Sequence, residues 1–193
     1  MKTIYTRQSL RLQNYDYAQA GMYAVTLVTH HRECLLGDVV NGAMSLNPAG
    51  RTTELFWRRL AEKFLHIELD ACVIMPNHIH GIILIKSLGP KPCVRPDKNK
   101  NKEQVVGQTH GVAPTLGRMM QWFKTMTTNA YIRGVKNDLW PMFDNKLWQR
   151  NYYEHVIRDE NELLQVRKYI VENPKKWELD FENPAFQEKT NKH

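Results

Sequence analysis

Apolar residues recur along this chain in two rhythms, one of period two and one of about 3.6, and each change of rhythm marks an element boundary. The stretch MYAVTLVTHH, 22–31, is rich in β-branched and aromatic residues with partial alternation, and it predicts a first strand. In NPAGRTTELFWRRLAEKF the apolar Phe56, Trp57, Leu60 and Phe64 fall at helical spacing, with Arg58, Arg59, Glu62 and Lys63 mostly off that face. That is an amphipathic helix. IELDACVIM predicts a second strand and HIHGIILIK a third; Pro76 and Asn77 leave room between them only for a tight turn, so the two form a hairpin.

From 87 to 114 the composition shifts to Gly, Pro, Lys and Asn, as in GPKPCVRPDKNKNKEQ. Such a stretch cannot bury enough apolar surface to order itself, and a mobile basic loop is expected. Periodicity returns in PTLGRMMQWFKTMTTNAYIRG, where Leu116, Met119, Met120, Phe123, Thr127 and Ala130 make one face of a second helix. LWQRNYYEHVI predicts a fourth strand. RDENELLQVRKYIVENPKKW predicts a third helix, opened by Asp159 with Glu162 three residues on and stopped at Pro174. The order β-α-β-β-α-β-α implies an α+β fold, a ferredoxin-like split βαβ sandwich with an added C-terminal helix. With no internal repeat and no linker other than the 87–114 loop, residues 1–193 read as a single domain.

Composition narrows the partners. Lys and Arg total 27 against 20 acids, a net charge of +7, which favours an anionic partner, nucleic acid foremost. No window approaches the run of about 18 apolar residues that spans a bilayer. The N-terminal MKTIYTRQSLRLQNYDY has no apolar stretch after its basic residues, so a cytoplasmic location is expected. Cys34, Cys72 and Cys93 share no CxxC spacing, which argues against a zinc ribbon and against a disulfide framework.

The chemistry concentrates in VIMPNHIHGIILIK. Side chains alternate along a strand, so His78 and His80 face one side together while Ile79 faces the other, and two imidazoles so placed can share a metal. The same pair also fits two hydrogen-bonded histidines on a half-exposed strand. Tyr169 and Asn173, four apart on the last helix, lie at the margin of the stripe Leu163, Val166 and Ile170. A phenol there can act as a nucleophile and the amide oxygen as a metal ligand; packing and an ordinary helix stop explain the two equally simply. Tyr131, Tyr152 and Tyr153 are better explained by packing, though Tyr153 could reach a site at the sheet surface. On the second helix Arg118, Trp122, Thr125, Asn129 and Arg133 share the face opposite the apolar stripe, cations around an exposed indole, a combination suited to single-stranded nucleic acid and equally to a face covered by another segment.

Taken together, RLQNYDYAQAGMYAVTLVT, MPNHIHGIILI and LWQRNYYEHVIRDENELLQVRKYIVENPKKW resemble the REP-associated tyrosine transposases, single-tyrosine members of the HUH nucleases, over residues 8–177. The resemblance implies that His78 and His80 bind Mg2+ or Mn2+, that Tyr169 attacks a DNA phosphate, and that Asn173 is the third ligand where relatives have Gln. It also implies cleavage and rejoining of single-stranded DNA at palindromic, hairpin-forming repeats through a 5′-phosphotyrosine, by a monomer or a homodimer. Three other readings remain: a host-retained hairpin binder with little transposition, an unrelated metal-dependent oxygenase or hydrolase using the HxH pair with a carboxylate, and a noncatalytic nucleic-acid-binding module.

Overall fold

The computed structural model describes residues 19–87, 115–137 and 140–190. The loop expected over 87–114 thus lies, beyond Ser87, outside the described residues. Strand β1 is Gly21–Val28, β2 Gly37–Val40, β3 Ala43–Leu46, β4 Ile67–Ile74, β5 His78–Ile85 and β6 Tyr153–Ile157. The helices are α1 Pro48–Lys63, α2 Leu116–Asn137, α3 Glu160–Glu172 and α4 Pro184–Thr190, with 3-10 turns at His30–Arg32 and Asn173–Leu179.

β4, β5, β1 and β6 form one sheet in that order, every neighbouring pair antiparallel. This is the split βαβ arrangement expected: α1 and α2 are the crossovers, and β4 and β5 are the hairpin around Pro76 and Asn77. Period-two alternation divides the sheet into two faces. Tyr23, Val25, Leu27, Ile79, Ile83 and Ile85 join Phe56, Trp57 and Leu60 of α1 and Met119, Met120 and Phe123 of α2 in the larger core. Ala24, Ile82 and Ile157 point the other way, onto Leu163 and Ile170 of α3. The Trp57 ring crosses the sheet directly over Gly81, where a Cβ would lie 2.2 Å from its Cζ2.

The structure departs from the sequence reading at three points. The first strand ends at Val28, because His31 and Arg32 take left-handed backbone (φ 52° and 58°) and fold the chain into a 3-10 turn. The hairpin of β2 and β3 was not expected; it turns on Asn41 and Gly42, both at positive φ, the pairing that suits a two-residue hairpin. The fourth strand is confined to Tyr153–Ile157, and upstream of it the chain pairs with the residue after β1 in an isolated bridge, Thr29 with Trp148. α3 stops before Pro174 as expected, and the proline, lacking an N–H, sits in the first turn of a 3-10 segment that runs on to Leu179. At the other end of α3, the Asp159 side chain accepts from Glu162 N at 2.9 Å, and the Glu162 carboxylate accepts from Arg158 N at 2.7 Å, much as the sequence implied.

Candidate metal centre and tyrosine

β5 presents His78 and His80 on the face covered by α3, in register with Val28 and Thr26 of β1. His78 is fully buried and His80 nearly so, with ring centroids 4.6 Å apart. α3 lies across this face, pinned to β4 by a two-pronged pair between Arg167 and Asp70 at 2.9 and 2.7 Å. It brings the Tyr169 hydroxyl to 3.4 Å from His80 Nε2, the rings meeting edge-on at 5.1 Å. One turn further Asn173 is buried against the same pocket. Beyond it the 3-10 segment carries the Asp180 carboxylate to 3.8 Å from His78 Nε2. One donor atom each from His78, His80 and Asp180 lie within 4.8 Å of one another.

The outer nitrogens are occupied. Asn77 Oδ1 lies 2.8 Å from His78 Nδ1, and Thr26 Oγ1 lies 2.7 Å from His80 Nδ1. Both Nε2 atoms therefore point inward. Burial pushes the His80 pKa down to about 3. Burial, and then the neighbouring His80, drive that of His78 well below the ordinary imidazole value. Both rings are neutral at physiological pH, the form that donates a lone pair to a metal. Burial raises the Asp180 carboxyl, while the hydrogen bond it accepts from Glu182 N at 2.7 Å, and to a lesser degree Asn173, pull the other way.

Two buried polar atoms here, His78 Nε2 and Asn173 Oδ1, make no hydrogen bond among the described residues. Buried polar atoms are ordinarily paired, and two orphans on residues that both adjoin Asp180 fit a bound cation. Two imidazole nitrogens, a carboxylate and an amide oxygen form a mixed nitrogen and oxygen donor set suited to a divalent ion of the Mn2+ type, with Mg2+ served mainly by the oxygens.

His78, His80, Tyr169 and Asn173, the four residues singled out in the sequence, are thus brought together, and Asp180 is a fifth that sequence reasoning missed. No spacing signals it: it reaches the site only because Asn173–Leu179 coils as a 3-10 turn. The residues singled out on α2 are not assembled with them. Arg118, Thr125, Asn129 and Arg133 are exposed, but α2 packs on the opposite face of the sheet from the histidines. Trp122 is not the exposed indole expected; it is half-buried edge-on to Phe56 and Phe64, at 6.3 and 6.0 Å. Among the other tyrosines, Tyr131 is buried in the larger core and Tyr152 packs against it. Of these three, Tyr153 faces the site side, on β6 opposite Thr26.

No family model matches the chain. An uncharacterized protein from Haemophilus influenzae is 38% identical over 177 residues, which span 92% of this chain and 93% of that protein. Among solved structures, a REP-associated tyrosine transposase bound to a REP hairpin superposes with a TM-score of 0.52 at 17% identity, covering 91% of this chain and 74% of that one. No helix among the described residues is long and apolar enough to cross a membrane. Sequence and fold therefore place this chain in one family with the Haemophilus influenzae protein, built on the fold of the REP-associated tyrosine transposases.

Proposed function

We propose that the protein is a tyrosine DNA strand transferase that cleaves and rejoins single-stranded DNA at hairpin-forming repeats in the cytoplasm. The observation that carries this reading is the Tyr169 hydroxyl at 3.4 Å from His80 Nε2, at the edge of a buried His78, His80 and Asp180 cluster. A nucleophile beside a ligand set is the arrangement that phosphoryl transfer to a side chain requires. The solved neighbour with the same fold was captured on a REP hairpin, which makes such hairpins the first substrates to test.

Tyr169 Oη forms the new bond to phosphorus, and the bond from phosphorus to the 3′ oxygen of the preceding nucleotide breaks. The products are a 5′-phosphotyrosine and a free 3′-OH. The phenol must lose its proton as it attacks. His80, held near pKa 3, is too weak a base to retain that proton at neutral pH, so it passes to solvent, and the leaving 3′ oxygen takes one up. A divalent cation, Mg2+ or Mn2+, held by His78, His80, Asp180 and Asn173 would neutralise the charge accumulating on the phosphate. α3 holds the nucleophile rigidly, since Arg167 and the Leu163 and Ile170 contacts fix its rotation over the sheet. Attack by a second 3′-OH on the phosphotyrosine reverses the step and reseals a strand with no other energy source. Arg118 and Arg133, on the far side of the sheet, serve phosphates remote from the cleaved bond.

Incubation with labelled single-stranded hairpin repeats and Mg2+ or Mn2+ should give a covalent protein–DNA adduct. Peptide mapping should place the nucleotide on the peptide containing YIVENP. A nucleotide on NYYEH would move the nucleophile to Tyr152 or Tyr153; hairpin binding without any adduct would make the protein a noncatalytic binder.

A further inference from the structure

We propose that Asn77 is the positioning residue of the cation site, fixing which nitrogen of His78 is free and tying the segment that bears Asp180 to the sheet; this rests on the cation-binding reading above. Asn77 is fully buried in the turn between β4 and β5. Its Nδ2 donates to two backbone carbonyls, Arg32 O at 2.9 Å and Glu182 O at 2.7 Å. Only the NH2 end of an amide can satisfy two carbonyls, so the orientation of this side chain is dictated, and its Oδ1 must face His78. An amide oxygen accepts only. The atom 2.8 Å from it, His78 Nδ1, must therefore carry the proton, and Nε2 is left as a bare lone pair aimed at Asp180 and Asn173. His80 has no such dictation, since its partner Thr26 is a hydroxyl that can donate or accept.

The same two hydrogen bonds join three chain segments. Arg32 sits in the left-handed turn after β1, and its guanidinium pairs with Glu182 at 2.6 Å and lies over the Phe181 ring. Asp180 is two residues before Glu182 and accepts from Glu182 N at 2.7 Å. The carboxylate is therefore carried on a short loop fastened at Glu182 by both Asn77 and Arg32. Two successive non-glycine residues at positive φ are uncommon and persist only where the surroundings over-determine them. Here the Arg32 carbonyl is aimed at Asn77, and its side chain at Glu182.

The test uses the full-length, metal-free protein and two readouts other than activity. Long-range 1H–15N correlation, assigned by comparison with His78→Gln, should show His78 protonated at Nδ1 in the wild type and lose that preference in Asn77→Ala. Mn2+ titration followed by electron paramagnetic resonance should show affinity about 10–100-fold weaker in Asn77→Ala, the usual scale for losing a partner behind a ligand. Asn77→Asp separates the two roles: it still accepts from His78 and should keep the tautomer, but it cannot donate to the two carbonyls and should weaken Mn2+ binding. Glu182→Gln, which alters only the side chain paired with Arg32, should also weaken Mn2+ while leaving the tautomer unchanged, and it reports on the tether even if Asn77 variants fail to fold. An unaltered tautomer in Asn77→Ala, or a wild-type His78 protonated at Nε2, overturns the tautomer role; unaltered Mn2+ affinity in Asn77→Asp and Glu182→Gln overturns the tether. A wild type that takes up no Mn2+ would sink the cation reading instead, and the tautomer comparison would still decide the role of Asn77.

Discussion

Acidifying the metal-free protein from pH 7 to pH 5 should cost folding stability, about 2 kcal/mol of it through His80 alone, because two buried imidazoles must stay neutral in the native state. His80 is held near pKa 3 by burial, and His78 is driven well down by burial and by His80. In the unfolded chain both return to about 6.5. Below that value the unfolded state binds protons that the native state refuses, so stability is complete above pH 6.5 and is lost as pH falls towards the native pKa. Over the 1.5 units from 6.5 to 5, His80 contributes about 2 kcal/mol, at about 1.36 kcal/mol per unit, and His78 adds a loss of the same sign. Depressed carboxylates such as Asp70 and Glu162 lose their contribution only lower, below the ordinary carboxylate range. His66 acts in the same direction as the pair, and Asp180, raised by burial, acts against it. Urea unfolding at pH 7, 6 and 5 in the presence of a chelator measures the whole effect. Repeating it with His80→Asn isolates one ring, and the variant should lose about 2 kcal/mol less than the wild type across the same interval. A stability difference between the two proteins that does not change with pH would refute the claim that His80 is buried neutral.

Tyr169→Phe removes one oxygen and keeps the ring edge-on to His80, so hairpin binding should persist while the covalent adduct on denaturing gels disappears. Asp180→Asn should weaken Mn2+ binding by calorimetry more than Asn173→Ala does, since it removes the only charge in the donor set; equal losses would demote Asp180 to a bystander. Gly81→Ala should destabilise by about 1–3 kcal/mol in urea melts, because the new methyl meets the immobile Trp57 ring, and a neutral result would mean that the indole can move aside. Replacing Arg118 and Arg133 by Gln should lower hairpin affinity for all sequences alike and flatten its salt dependence, and an unchanged salt slope would remove α2 from the DNA contacts.

The four strands of the main sheet and their crossover helices were legible because each buries a face, and burial writes its period into the chain. Trp57, Leu60 and Phe123 do so for α1 and α2, and Ile79 and Ile83 for β5. His78, His80, Tyr169 and Asn173 were legible as separate pairs on a strand and on a helix; that the two pairs meet is a fact of topology that no local pattern carries. The β2 and β3 hairpin was missed although Asn41-Gly42 is a strong turn signal, because its strands are four residues each and only half-buried, too short to show a period. Trp122 was misjudged because helical spacing tells which side of α2 it occupies but not that Phe56 and Phe64 of α1 reach round to cover it. Asp180 was invisible for a related reason: its position is set by Asn77 and Arg32, about a hundred residues or more earlier in the chain.

The two faces of the sheet differ in depth, and that difference bears on which part of the molecule opens first. Of α3's residues only Leu163 and Ile170 are buried, whereas α1 and α2 seat ten buried side chains in the larger core. Amide hydrogen exchange should thus find α3 exchanging through a partial opening well below the global unfolding free energy, with β1 and β5 protected to the limit. Such an opening would lift Tyr169 and Asn173 away while His78 and His80 stay on an intact sheet and the loop bearing Asp180 stays fastened at Glu182. On the function proposed above, a DNA strand held on Tyr169 would then change its position relative to the sheet without the fold coming apart.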